Sequence, residues 1–427
     1  MGMTMTEKIL ARAGGVARVK PGDLAVVDVE TAVCMDTTFQ PGRLQEERWL
    51  DIRKVHDPRK IAIIYDHLVP AADEATATAM RIGRDFAARF GIERLHDVGA
   101  DQGIAHSVVA ERGYALPGTV LVGSDSHTGA GGAFNCAAKA IGRPDLVYTV
   151  ITGKTWFPVG ETVRYELTGR LKPGVSAKDV FLTIAGKWGA HSGQNVEYGG
   201  HGLATLGLGA RRTLAAMSTE LSAEFAILEP DDLVRDHIRA VNPGAQFFPT
   251  LPDPDATYRE RRSIDLGAIE PLVALPDKVL NNTLPLERLA GLKIDQAFVG
   301  SCANGSLEDL AVVAKVLKGR KVAKGTRFIV TPGTQATYRA ALKAGYVEAM
   351  LDAGAVVTPA TCGACFGGHM GVLGADEVCI TASTRNFKGR MGDPTARIYM
   401  ASPATVAASA VAGRIASAAE FYAGALE

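Results

Sequence analysis

The sequence predicts an α/β protein of more than one domain, built on parallel sheets with crossover helices. Short apolar runs alternate with helical patterns in the first and last thirds, which is the order that βαβ units produce. The chain has 427 residues, too many for one ordinary core, so two or three domains are expected. Its 47 glycines suit the many tight strand-to-helix turns of such a fold.

Taken in order, the elements begin with a helix. Thr4 and Glu7 form a capping box ahead of Ile9-Leu10, and Gly14-Gly15 ends the helix. This reading is preferred to the loose myristoylation pattern that Met1-Gly2 through Thr6 also matches. Leu24–Asp28, Ile61–Tyr65 and Thr119–Gly123 read as buried strands, with a helix over Ala72–Phe90. In the middle, Val163–Gly169 reads as a strand, and Ser176–Gly189 and Arg211–Leu221 as helical. From Asn242 to about Gly291 the chain is rich in Pro, Asp and Arg, with Leu251-Pro-Asp-Pro-Asp255 as its clearest breaker, so weak order is expected there. Alternation then resumes: strand Gln296–Gly300, helix Ser306–Lys318, strand Arg327–Val330, helix Gln335–Ala344, strand Val378–Ala382. An Ala-rich amphipathic helix, Ala404–Leu426, closes the order.

Composition excludes several classes. The 46 basic and 46 acidic residues cancel, leaving no basic field to attract nucleic acid. No apolar run approaches a membrane span, and the first residues lack the segments of a signal peptide. Six cysteines in so long a chain do not make a disulfide framework. A cytoplasmic protein is expected.

Cys302 follows the strand Gln296–Gly300, while Cys362 and Cys365 follow the short apolar run Ala355-Val-Val357. All three therefore sit beyond carboxyl ends of strands, where open α/β sheets place their sites. Small neighbours (Gly300-Ser301, Gly363-Ala364, Gly367-Gly368) let the backbone approach a bulky inorganic ligand. Three thiolates are one short of a closed Cys₄ site. A cubane held by three leaves one iron open as a Lewis acid. A lone Cys-x-x-Cys also reads as a zinc half-site or a redox pair, and those readings stay open at this point. Cys34, Cys136 and Cys379 read as ordinary buried thiols.

Four polar constellations also fall at strand ends: Asp66-His67, His106, Asp125-Ser126-His127-Thr128 and Arg385-Asn-Phe-Lys-Gly-Arg390. Singly each is weak, because an Asp-His pair is more often structural and a basic loop is usually solvated. Together they supply imidazoles and carboxylates to handle water and protons, and guanidiniums to hold carboxylates.

Five motifs now stand in sequence: Val122-Gly-Ser-Asp-Ser-His-Thr128, Phe298-Val-Gly-Ser-Cys302-Ala-Asn304, the run Thr361–Gly374, Arg385–Arg390 and Ala401-Ser-Pro-Ala-Thr405. With them the chain resembles the aconitase superfamily, and within it the isopropylmalate dehydratase branch, over essentially its whole length. The resemblance implies three α/β/α domains, residues 1–160, 161–283 and 284–427, around an iron–sulfur cluster. It implies one 4Fe–4S cluster on Cys302, Cys362 and Cys365, with one open iron. Its catalytic residues fall on Asp66, His67, His106, Asp125, His127 and Glu220. Its substrate contacts fall on Gln40, Ser126, Arg385 and Arg390, the alignment at Gln40 being loose. It implies a hydro-lyase acting on a small 2-hydroxy di- or tricarboxylic acid, in that branch the isomerisation of 2- to 3-isopropylmalate.

In the family a serine on a Gly-Ser-Ser-Arg-like loop of a swivelling domain removes the carbon-bound proton. This sequence has no such loop, so a small swivel-domain subunit carrying that serine is expected as partner. Several positions depart from the branch: Met35, Ala105, the run Gly129-Ala-Gly-Gly132, Ala216, Ala303 and Thr384. They leave open a paralogue for dimethylmalate, maleate, citraconate or homoaconitate. An iron-sensing RNA-binding regulator is a reading of another class, opposed by the balanced charge, and a zinc-stabilised structural protein is a third.

Overall fold

A computed structural model describes residues 2–40 and 46–421. The chain divides into two compact units. The first takes residues Met1–Val98, Ala105–Thr168 and His191–Ile264, and the second Gly99–Ile104, Gly169–Ala190 and Asp265–Glu427.

The first unit is built on a parallel five-stranded sheet in the order Leu95–His96, Ile61–Ile64, Thr31–Met35, Val120–Gly123, Ala137–Ala140. Ile61–Ile64, Thr31–Met35 and Val120–Gly123 are buried at every position, the pattern of strands covered on both faces. From Thr31–Met35 the chain adds strands on one side, then returns to add Val120–Gly123 on the other. The crevice at the carboxyl ends of those two strands is thus the topological switch point, where such sheets bind ligands. The opening helix, Met5–Ala13, carries the expected Thr4/Glu7 capping box.

A second sheet in this unit orders Ala226–Leu228, Gln194–Gly199, Glu161–Thr168 and Glu260–Asp265. The run Leu24–Asp28 is a strand, but not a buried one. It pairs antiparallel with Lys154–Pro158 in a two-stranded ribbon, and Leu24 and Val26 are exposed. Leu-Ala-Val-Val is apolar on both faces, so the sequence conceals the alternation.

The second unit is built on a seven-stranded sheet. Its parallel core runs Val356–Val357, Arg327–Val330, Gln296–Val299, Val378–Thr381, Arg397–Met400. The connectivity repeats that of the five-stranded sheet, and its switch point lies between Gln296–Val299 and Val378–Thr381. The helix Ala177–Trp188 packs on Leu272–Ala274 and Thr283–Pro285, an antiparallel pair that extends the sheet. The Pro-rich stretch from Asn242 is therefore more ordered than its composition suggests. Three-residue strands between prolines are too short for a periodic signal.

The last helix is shorter than expected. It spans Pro403–Ala412 and stops at Gly413, whose φ of 67° is left-handed, a C-terminal stop that glycine tolerates at no steric cost. Residues 422–426 of the expected helix lie outside the described residues. No described helix is long and apolar enough to cross a membrane.

Candidate active site

Three strands of the five-stranded sheet deliver an aspartate just past their carboxyl ends: Asp36, Asp66 and Asp125. Asp36 and Asp125 flank the switch point. His67 joins them. Its Nδ1 lies 2.6 Å from Asp66 Oδ1 and 3.5 Å from Asp36 Oδ1, and its Nε2 lies 3.6 Å from Asp125 Oδ2. The His67 and Leu68 amides donate to Asp36 Oδ2 at 3.1 and 3.0 Å, and the Ala105 amide donates to Asp66 Oδ2 at 2.8 Å.

Asp125 is the hub. His106 Nε2 is 2.6 Å from its Oδ1, and His127 Nδ1 is 3.7 Å from the same oxygen. His127 Nε2 is 3.1 Å from Glu220 Oε1. The network runs continuously from Asp36 and Asp66 to Glu220, and it brings together all six residues expected to be catalytic.

Burial alone would push the Asp125 carboxyl up, but bonds from His106, His127 and His67 hold it well below the usual carboxylate range. Burial works against a charge on His67, yet Asp66, Asp125 and Asp36 hold the imidazole well above its ordinary value. His127 is raised against its own burial by Asp125 and Glu220. Asp36 is lowered against burial by His67 and by the Leu68 and Thr37 amides. Fixed carboxylates thus favour the protonated form of His67 and of His127, an arrangement suited to moving protons.

Local structure explains how the motif stays in place. Asp125 caps the 3₁₀ segment Ser126–Phe134, accepting from the His127 amide at 2.8 Å. Thr219 Oγ1 donates to the Ser126 carbonyl at 3.0 Å, tying the turn that carries Glu220 to the motif. A Cβ on Gly132 would drive into the Ala226 carbonyl, and one on Gly131 would meet Ala138 Cβ at 2.8 Å. Close packing accounts for these glycines of the Gly129–Gly132 departure. Ser126 is half-buried at the start of this segment, and Gln40 is half-buried at the end of the turn Asp36–Phe39.

Sequence reasoning missed Asp36 as a site residue. The available signal was the apolar run Thr31–Met35 ending in Asp, the same strand-then-aspartate pattern recognised at Asp66 and Asp125.

In the second unit Cys302 follows Gln296–Val299, and Cys362 and Cys365 follow Val356–Val357. Cys302 and Cys365 are buried and Cys362 is half-buried. Ser301 is held at a φ of 87° and Gly300 at 139°; a Cβ at Gly300 would press on the Thr331 carbonyl oxygen at 2.5 Å. A Cβ at Gly371 would meet Ile329 Cδ1 at 2.8 Å and Ala364 Cβ at 3.0 Å. The loops around the thiols thus have no room for larger residues, and strained backbone of this kind clusters at functional sites.

The basic loop after Val378–Thr381 reaches the same place. Arg390 Nη2 is 4.0 Å from Cys365 Sγ and Thr384 Oγ1 is 3.9 Å from it. Arg385 lies over the Phe387 ring at 5.5 Å and Arg390 over the Phe366 ring at 5.8 Å.

Three cysteines at the carboxyl edge of one sheet, cradled by glycines, suit an iron–sulfur cluster by donor chemistry. A single tetrahedral zinc, with bonds of about 2.3 Å, would hold its sulfurs about 3.8 Å apart. Among the described residues, the grouping of three donor atoms within 4.8 Å of one another is Asp36, Asp66 and His67, not the cysteines. In that trio the imidazole already bonds the carboxylates, so it is an ion-pair network.

Residues 7–286 and 278–413 match the model of the Aconitase family (aconitate hydratase). The chain is 50% identical over 415 residues to the 3-isopropylmalate dehydratase large subunit of Mycolicibacterium smegmatis, covering 97% of this chain and 96% of the relative. It is 41% identical over 417 residues to 3-isopropylmalate dehydratase large subunit 1 of Methanopyrus kandleri, covering 97% and 98%. It is likewise 41% identical over 419 residues to the probable methanogen homoaconitase large subunit of Methanothermobacter thermautotrophicus, covering 97% of each.

Proposed function

The chain belongs to the aconitase family, and from that premise we propose that it is the large subunit of a 3-isopropylmalate dehydratase, a hydro-lyase interconverting 2- and 3-isopropylmalate. The observation that carries this reading is Arg390 Nη2 lying 4.0 Å from Cys365 Sγ. A carboxylate-binding cation beside a metal-binding thiol is what a metal-assisted reaction of a hydroxy acid needs. The division into domains 1–160, 161–283 and 284–427, and a cytoplasmic location, belong to the same proposal.

Cys302, Cys362 and Cys365 would hold one 4Fe–4S cluster, which when bound supplies a Lewis-acidic iron suited to a departing hydroxyl. The remaining chemistry is assigned to side chains. Arg385 and Arg390 bind the substrate carboxylates in bidentate fashion and stabilise the negative charge that develops as the carbon-bound proton leaves. Ser126 and Gln40 contribute further substrate contacts. One of two imidazoles, His106 held by Asp125 or His127 held between Asp125 and Glu220, donates a proton to the departing hydroxyl. His67 and Asp66 keep Asp125 within this charged network. The base for the carbon-bound proton is a serine of the small swivel-domain subunit.

A second reading, a hydratase for a related 2-hydroxy acid, draws on the relative named as a homoaconitase subunit and on Ala216, Ala303 and Thr384. These three are buried and smaller than, or different from, the side chains usual in the branch. Both readings are tested by anaerobic reconstitution with iron and sulfide, addition of the small subunit, and absorbance of the conjugated alkene acid across a panel of hydroxy acids. Turnover restricted to isopropylmalate supports the first reading. Turnover confined to another acid replaces it with the second.

A further inference from the structure

Lys178 is completely buried near the start of the helix Ala177–Trp188. A buried amine is costly, and a methionine of similar length would fill the same space without that cost. What the amine does is specific: Nζ donates to the Ser383 carbonyl at 2.9 Å. Ser383 opens the loop Ser383–Arg390, two residues before Arg385. We propose that Lys178 is a positioning residue for Arg385, fixing the backbone from which that guanidinium extends; this rests on the reading of Arg385 as a substrate-carboxylate ligand.

The rest of the loop is clamped in the same manner. The Ser383 amide donates to Thr381 Oγ1 at 2.9 Å, and its hydroxyl donates to the Arg385 carbonyl at 3.4 Å. On the far side of Arg385, Asn386 Nδ2 donates to the Leu275 carbonyl at 2.6 Å and the Lys278 carbonyl at 3.3 Å. The Asp277 amide returns a bond to the Asn386 carbonyl at 3.1 Å. Ser383, Thr384 and Asn386 are buried, whereas Arg385 is half-buried. The loop is thus pinned on both sides of Arg385.

The helix bearing Lys178 is itself fixed. Asp179 accepts from the Ser176 amide at 2.9 Å and from the Leu272 amide at 3.2 Å, and the Asn281 amide donates to the Ala185 carbonyl at 3.0 Å. A rigid anchor of this kind is what bidentate recognition requires, since misplacement by about 1 Å costs about 10²-fold in rate or binding.

The test uses the reconstituted two-subunit enzyme, with KM, kcat, iron and sulfide content and Tm measured for Lys178→Met, Ile184→Ala and Arg385→Lys. Ile184 is buried in the same helix, so its truncation weakens the helix and leaves the loop anchor intact. Lys178→Met is expected to raise KM about tenfold or more with cluster content unchanged, while Ile184→Ala lowers Tm and leaves KM alone. Wild-type KM in Lys178→Met, or an equal KM rise in Ile184→Ala, overturns the proposal. Arg385→Lys keeps the two ideas apart: an unchanged KM in that variant removes the arginine's role, whereas a raised KM beside a normal Lys178→Met removes only the lysine's. Should Lys178→Met not fold, Lys178→Gln, one atom shorter, is measured in its place with the same expectation. Failure of both to fold makes Lys178 a residue of stability and also overturns the proposal.

Discussion

His106 Nε2 sits 2.6 Å from Asp125 Oδ1, and that single carboxylate also faces His67 and His127. Three imidazoles thus share one carboxylate, which makes Asp125 the residue that ties them into a single network. Asp125→Asn keeps the shape and removes the charge. It is expected to lower kcat by about 10²- to 10⁴-fold with a much smaller change in KM. Steady-state kinetics of the reconstituted two-subunit enzyme check this, and an unchanged kcat contradicts it.

The same charges make stability depend on pH. His67 and His127 lie above their ordinary value of 6.5 in the folded chain. Their contribution is complete below 6.5 and is lost as pH rises through the raised folded values. Asp125 and Asp36 lie below their ordinary 3.8. Their contribution is complete above 3.8 and is lost as pH falls through the depressed values. The network therefore stabilises most between these two limits. His67→Gln is expected to cost roughly 1–3 kcal/mol near pH 6 and less toward pH 10, as read from urea unfolding across pH. A deficit that grows on the alkaline side contradicts this.

Arg385→Lys exchanges a planar fork for a point charge at a site read as bidentate. KM is expected to rise about 10- to 100-fold while iron and sulfide content stays at the wild-type level. Loss of the cluster in this variant would instead place the arginine among groups that hold the metal.

Gly132 is expected to tolerate no side chain, because a Cβ there runs into the Ala226 carbonyl. Gly132→Ala should destabilise by about 3 kcal/mol, and a fall in Tm measures it. An unchanged Tm would mean that the 3₁₀ segment after Asp125 packs less closely than described.

Much of this was legible in the sequence because chemistry-bearing residues follow apolar strands. Cys302 after Gln296–Val299 and Asp125 after Val120–Gly123 could be read that way directly. Glu220 could not: it sits in the short turn Ser218–Leu221, and only the family resemblance pointed to it. Asp36 was hidden for a different reason, since the strand before it, Thr31–Met35, contains Thr and Cys and lacks a clear turn signal on either side. Leu24–Asp28 and the final helix show the limits of local pattern. The first is a ribbon strand whose partner, Lys154–Pro158, lies far away in sequence. The second ends at a single glycine in the left-handed region although the apolar pattern continues beyond it. Lys178 gave no signal at all, because a lysine beside a helix cap reads as solvated until its burial is known.

Activity is expected to require two chains. The purified large subunit, reconstituted alone, should show a small fraction of the turnover it reaches with the small subunit. Equal turnover without the partner would remove the need for a serine supplied from outside.

Whether Cys302, Cys362 and Cys365 grip one cluster is tested most directly by iron and sulfide analysis of anaerobically reconstituted wild-type and Cys302→Ser protein. A 4Fe–4S stoichiometry in the wild type, lost or strongly reduced in the variant, is the expected result. Zinc without sulfide in the wild type, or a full cluster in Cys302→Ser, would contradict it.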